Sequence, residues 1–213
     1  MIPEGVDPAT AELLERFGFS EIPFARLRER VASGELTVAH NVVRGTVEPP
    51  TDDDLTPLPE PDTDAFERAR ELGATALAEG KIGAVVLAGG MATRFGGVVK
   101  GIVEVLDGRS FLDLKLSDIA RAGPVPVALM TSFATDEVTR EHVARLDVPE
   151  PLWFSQFVSL RLTPGGDLFR EDDGKVSPYG PGHGDLFDAI TGSGTLAALQ
   201  ARGVEHVVVS NVD

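Results

Sequence analysis

The chain of 213 residues carries 34 acidic against 19 basic side chains, a formal net charge of −15, and no cysteine. That balance excludes a protein that coats nucleic acid, because no basic footprint exists to neutralise a phosphate backbone. The missing cysteine excludes disulfides, thiolate catalysis and zinc–thiolate centres, and fits a reducing compartment. A small anionic ligand remains open, since a few well-placed cations outweigh a distant acidic surface. The first residues, Met1-Ile2-Pro3-Glu4-Gly5, have neither the cationic start nor the apolar core of a signal peptide, and no apolar run nears the ~20 residues of a membrane span. A soluble, cytoplasmic protein is expected.

Asp7-Pro8 is a helix start, a cap followed by proline in the first turn, and Leu13, Leu14 and Phe17 then recur at helical spacing up to Gly18. A second helix is predicted over residues 23–32, with Phe24, Leu27 and Val31 on one face. Residues 48–64 hold five prolines among acidic residues, with Leu55 and Leu58 as the only large apolar side chains, and read as an extended linker. From residue 62 the pattern changes. Phe66, Ala69, Leu72, Ala76 and Leu77 predict an amphipathic helix, followed by a strand over 82–88 and a glycine loop. Helices are predicted over 111–122 and 136–146, and strands over 125–130 and 152–154. Residues 159–181 read as irregular. A helix over 185–202 breaks at Gly192-Ser193-Gly194, and a last apolar strand covers 204–210. Alternating strands and helices indicate an α/β fold, a Rossmann-like, mostly parallel mixed sheet flanked by helices. The expected organisation is a helical appendage (1–47), a Pro/Asp-rich linker (48–61) and a nucleotide-binding α/β domain (62–213).

Ligands on such sheets sit at the carboxyl ends of strands. Three polar clusters fall there: the loop after residue 87, Met130-Thr131-Ser132, and Ser210-Asn211-Val212-Asp213. The loop runs from Leu87-Ala88-Gly89-Gly90 to Lys100 and holds four glycines, Arg94 and Lys100. Gly89 and Gly90 let main-chain N–H groups approach a ligand, and Arg94 and Lys100 supply charge for an anion. The spacing fits a phosphate cradle or a tight turn. Pro181-Gly182-His183-Gly184-Asp185 puts a histidine between two glycines. It reads as a donor to phosphate, or as a plain turn in which Asp185 caps the next helix. Gln156, after Trp153 and Phe154, offers an amide to a base edge or is a core glutamine. Asp213 sits where a carboxylate could hold Mg²⁺ on phosphate oxygens, or simply ends a strand. His40, His142 and His206 read as structural or solvent-facing, and Lys115 and Arg121 as residues of a solvated helix face. Arg161, Arg170 and Lys175 fall in the irregular stretch.

Four of these blocks, in order, resemble the UDP-glucose pyrophosphorylase family and its relative, UDP-N-acetylglucosamine pyrophosphorylase. Leu87-Ala-Gly-Gly-Met-Ala-Thr-Arg-Phe-Gly96 is similar to an LxGGxGTRxG loop, with Lys100-Gly101 standing for its lysine. Leu129-Met-Thr-Ser-Phe-Ala-Thr-Asp136, Pro181-Gly-His-Gly-Asp185 with Ser193-Gly-Thr-Leu196, and Val208-Val-Ser-Asn-Val-Asp213 match the later blocks. The resemblance covers residues 82–213. It implies transfer of UMP from UTP to a sugar-1-phosphate with release of pyrophosphate. Leu87, Ala88, Gly89 and Gly90 would line the nucleotide, Gln156 would read the uracil edge, and Gly182 would pack against the base. His183 would lie near the phosphates and sugar, Lys100 and Arg94 would act on the phosphates, and Asp213 would bind Mg²⁺. The histidine of the Pro-Gly-His-Gly-Asp block points to glucose-1-phosphate; N-acetylglucosamine-1-phosphate and a non-catalytic UTP-binding module are the alternatives. The chain departs from the pattern at Ala92, which replaces a glycine, and at the short, proline-free approach to Lys100. Family members continue well past the last block, so the domain is expected to be incomplete at its C-terminus and its activity alone to be in question.

Overall fold

The computed structural model describes residues 2–92 and 96–213, apart from the side chain of Ala92; Arg94 lies outside the described residues. Four strands form one parallel sheet: β1 (Ile82–Leu87), β6 (Val127–Thr131), β7 (Leu152–Ser155) and β10 (His206–Asn211), in the order β10-β1-β6-β7. Its register pairs Val86 with Ser210 on one side and with Leu129 on the other. Successive strand side chains point to opposite faces, and the core divides accordingly. Val85, Leu87, Ala128, Met130 and Phe154 pack on one face against α6 (Leu186–Gly192) and α7 (Thr195–Ala201). Val86 and Leu129 pack on the other with Val212, against α4 (Phe111–Ala122) and α5 (Asp136–Val143). Each fully buried aliphatic side chain contributes roughly 1.5–3 kcal/mol by leaving water, so burial on two faces fixes this register more firmly than strand propensity.

The predicted helix over 111–122 has its observed bounds because Ser110 caps it, its side chain accepting from the Asp113 N–H at 3.1 Å, and Gly123 follows its last turn. The predicted break near Gly194 separates α6 from α7, with Gly194 in the left-handed region. Two other expectations are corrected. Residues 159–181 are not irregular: β8 (Ser159–Leu160) pairs antiparallel with β9 (Pro178–Tyr179), and the bridges Leu162–Leu168 and Arg170–Val176 continue a small antiparallel arm. Asp185 does not cap α6 with its side chain.

The N-terminal helices α1 (Pro8–Arg16) and α2 (Glu21–Ala32) are tied to that arm. Asp7 caps α1 by accepting from the Thr10 N–H at 3.1 Å, and Leu14 and Phe24 are buried with Val158, Leu160 and Val176 in a third core. By contrast α3 (Asp64–Ala78) forms as the periodicity predicts but buries none of its residues, and Leu72 is exposed. The last strand is also bare: Val207, Val208 and Val209 are 38, 59 and 46 % exposed. Among the described residues, no helix is long and apolar enough to cross a membrane.

Candidate nucleotide site

Chain segments from three strand ends and the turn before α6 meet in one crevice. Its lining is Leu87, Gly89, Gly90, Met130, Gln156, Gly182 and His183, around a cavity of about 80 Å³. The position of Gly89 is dictated by Gln156. A Cβ on Gly89 would stand 2.8 Å from the Gln156 amide nitrogen, and one on Gly180 would stand 2.9 Å from the same atom. The side chain is thus clamped between two backbones that only glycine lets approach so closely. Its Oε1 accepts the Gly182 N–H at 2.8 Å, and the Gln156 main-chain N–H donates to the Thr131 carbonyl at 2.9 Å. Gly182 carries φ +87°, a conformation that disfavours any side chain there.

The glycine loop is held by hydroxyls. Ser132 Oγ donates to the Gly89 carbonyl at 2.9 Å, and Thr135 Oγ1 donates to the Ala88 carbonyl at 3.1 Å. The buried Ala88 gives its N–H to the Met130 carbonyl at 2.8 Å. Among the described residues, the N–H groups of Gly89 and Gly90 donate to no backbone carbonyl. With these carbonyls engaged, the loop is left with two N–H groups that an anion's oxygens could accept from. Ser132, Thr135 and Gly180 had no assigned role in the sequence reading. The polar cluster Met130-Thr131-Ser132 was the available signal for Ser132, and the block 129–136 for Thr135.

A short hairpin brings Lys100 beside Gly90, at the edge of the crevice. β2 (Met91–Ala92) pairs antiparallel with β3 (Val98–Val99), bringing the Lys100 N–H to 3.2 Å from the Gly90 carbonyl. The abbreviated, proline-free approach is therefore closed by strand pairing. The Lys100 ammonium donates to the carboxylate of Asp213, which lies two residues beyond the β10–β1 register partner of Leu87. That contact holds the Asp213 carboxyl below its ordinary range, so it is ionised at neutral pH. A single ionised carboxylate suits Mg²⁺ carried in on phosphate oxygens, an ion that takes one or two carboxylates and keeps its waters. No cluster of three or more acidic or histidine side chains suited to a metal exists among the described residues.

His183 is exposed at the rim of the crevice, one residue past Gly182. Asp185 is buried behind it. One oxygen accepts the Phe157 N–H at 2.7 Å, the other has no hydrogen-bond partner among the described residues, and burial pushes its carboxyl above the usual range. His142 serves structure, its Nε2 sharing a hydrogen bond with Ser110 Oγ at 2.8 Å. Lys115, read as lying on a solvated face, is half-buried, and its charge acts on Asp213.

Residues 23–213 match the model of the family described as UTP–glucose-1-phosphate uridylyltransferase. The chain is 32 % identical to the UTP–glucose-1-phosphate uridylyltransferase of Hordeum vulgare over 227 residues, covering 99 % of this chain and 45 % of that protein. It is also 32 % identical to that of Solanum tuberosum, covering 98 % of this chain and 47 % of that one. The chain therefore spans less than half the length of these relatives. In fold it resembles the uridine diphosphate N-acetylglucosamine pyrophosphorylase of Trypanosoma brucei, with a TM-score of 0.75 over 99 % of this chain and 47 % of that one at 21 % identity. The bounds of the family match enclose the glycine loop, Gln156, the Gly182–His183 turn and Asp213, and the chain belongs to the UTP–glucose-1-phosphate uridylyltransferase family.

Proposed function

We propose that this chain forms the UTP-binding half of a cytoplasmic uridylyltransferase that transfers UMP from UTP to a sugar-1-phosphate, glucose-1-phosphate first, releasing pyrophosphate. The observation that carries the reading is the convergence of Gly89, Gly90, Gln156, Gly182 and His183 on one crevice, with Lys100 beside it. Uracil presents two carbonyl acceptors around an N–H donor, and the clamped Gln156 amide offers the matching donor and acceptor. Leu87 and Ala88 lie beneath the nucleoside and Gly182 against the base. His183 faces the sugar and phosphates.

In the reaction a sugar-phosphate oxygen attacks the α-phosphorus of UTP in line as pyrophosphate leaves. Such chemistry needs positioning and charge neutralisation rather than a protein nucleophile. The loop N–H groups and Lys100 supply fixed positive potential where the leaving group's charge develops. Asp213 would hold Mg²⁺, which screens phosphate charge when bound. For Lys100 to reach phosphate it exchanges its contact with Asp213 for one with the ligand. A second reading, UTP binding without turnover, is favoured by the bare valines of β10, which leave one side of the sheet uncovered.

Titration of the chain with UTP and CTP, with pyrophosphate release measured on adding glucose-1-phosphate or N-acetylglucosamine-1-phosphate, tests the reading. UTP preference lost in Gln156→Ala, and turnover lost in Lys100→Ala, are expected. Equal binding of CTP by the wild-type chain would remove the role given to Gln156. Tight UTP binding with no turnover would leave the binding module.

A further inference from the structure

The charges around the start of α4 are matched in pairs, with one left over. Arg109 grips Asp113 through two nitrogens at 2.8 Å and donates to Ser117 at 2.7 Å, and Arg121 pairs with Asp118 at 2.9 Å. Lys100 is paired with Asp213. Lys115, between them on α4, makes no ion pair or hydrogen bond with the described residues. It is not a solvated surface lysine, being half-buried on the flank of a helix whose Leu112 and Leu116 are in the core.

Its location follows from its neighbours. Gly101, next to Lys100, is wedged so that a Cβ there would stand 3.4 Å from Val212 and 3.7 Å from Leu112. Lys115 lies one turn after Leu112 on the same helix face, and helical side chains lean back toward the preceding turn. The stem of Lys115 is thereby directed toward Gly101 and the strand end that carries Asp213.

We propose that Lys115 is a second phosphate-binding cation of this crevice, contacting a phosphoryl oxygen of the bound substrate on the α4 side while Lys100 contacts it from the glycine loop. This rests on the uridylyltransferase reading of the site. Two lysines approaching from separate elements bracket a multiply charged group, whereas Lys100 alone, with Asp213 beside it, presents little net positive charge. An ammonium with no competing carboxylate partner also gives up no internal ion pair on binding.

Calorimetric titration of the chain with UTP, pyrophosphate and glucose-1-phosphate, each at two salt concentrations, tests this in wild type, Lys115→Met, Lys115→Arg and Lys100→Met. Lys115→Met is expected to weaken binding of at least one of the three by about tenfold and to flatten its salt dependence, the loss of one charge-assisted hydrogen bond. Lys115→Arg should recover most of the affinity, and thermal melting of the Met variant should match wild type. The ligand that loses most identifies which phosphate Lys115 holds. If Lys115→Met binds all three as wild type does while Lys100→Met is weakened, the inference about Lys115 fails and the site reading stands. If the wild-type chain binds neither UTP nor pyrophosphate, both fall.

Discussion

β1 and β10 are adjacent parallel strands of nearly the same apolar character, yet one lies in the core and the other in water. Val85 and Val86 are 1 and 0 % exposed, while Val209, the register partner of Val85, is 46 % exposed. The difference is made by layers. Among the described residues, β1 has a strand on each side and helices on both faces, whereas β10 has a partner on one edge only, and α3, just before β1 in the chain, buries nothing. A continuous apolar run signals a strand suited to burial on both faces. It does not say whether the covering elements are present.

Substitutions graded along this contrast test it. Leu129→Ala, in the centre of the covered half, should cost about 2–5 kcal/mol in urea unfolding, the range for a buried leucine that leaves a cavity. Val86→Ala should cost about 2 kcal/mol by the loss of two buried methyl-sized groups. The covered half also contains a liability in Asp185. Burial raises its carboxyl pKa above the unfolded value, so the folded state binds more protons between the two values, and the penalty is fully present above the folded pKa and relieved as pH falls. Asp185→Asn, which can still accept from Phe157, should therefore melt higher than wild type at pH 7, with the gap narrowing on acidification toward pH 4. Val209→Ala, on the bare strand, should change stability by no more than about 0.5 kcal/mol. A loss equal to that of Val86→Ala would mean that β10 is covered in solution.

The sheet, its flanking helices and the crevice at its carboxyl end were legible because each is written in local signals. Apolar runs gave the four main strands, the stretch over 111–122 read as the helix α4, and the glycines of the loop and the Gly182 turn marked close approach. What was not legible depends on partners distant in sequence. The arm over 159–179 consists of two-residue pairings and single bridges, whose register is set by residues up to 20 positions apart and by packing on α1 and α2. The helical period of α3 was correct, yet its exposure could not be read from it. Gln156 could be named as a candidate, but the clamp between Gly89 and Gly180 needs three chain segments in space. Lys115 stands at the helix spacing of a surface position, and its partial burial beside Leu112 and Leu116 depends on packing that local spacing does not carry.

The two hydroxyls that hold the glycine loop have a consequence for the thermodynamics of binding. Flexible glycines are costly to order, and a loop that stiffened only on meeting its ligand would spend part of the interaction energy on that ordering. Ser132 and Thr135 fix the carbonyls of Ala88 and Gly89 without any ligand. The entropy of the loop's first residues is thus surrendered during folding, when the burial of the surrounding strands can compensate it, and an anion bound there as proposed would meet donors whose freedom has already been spent.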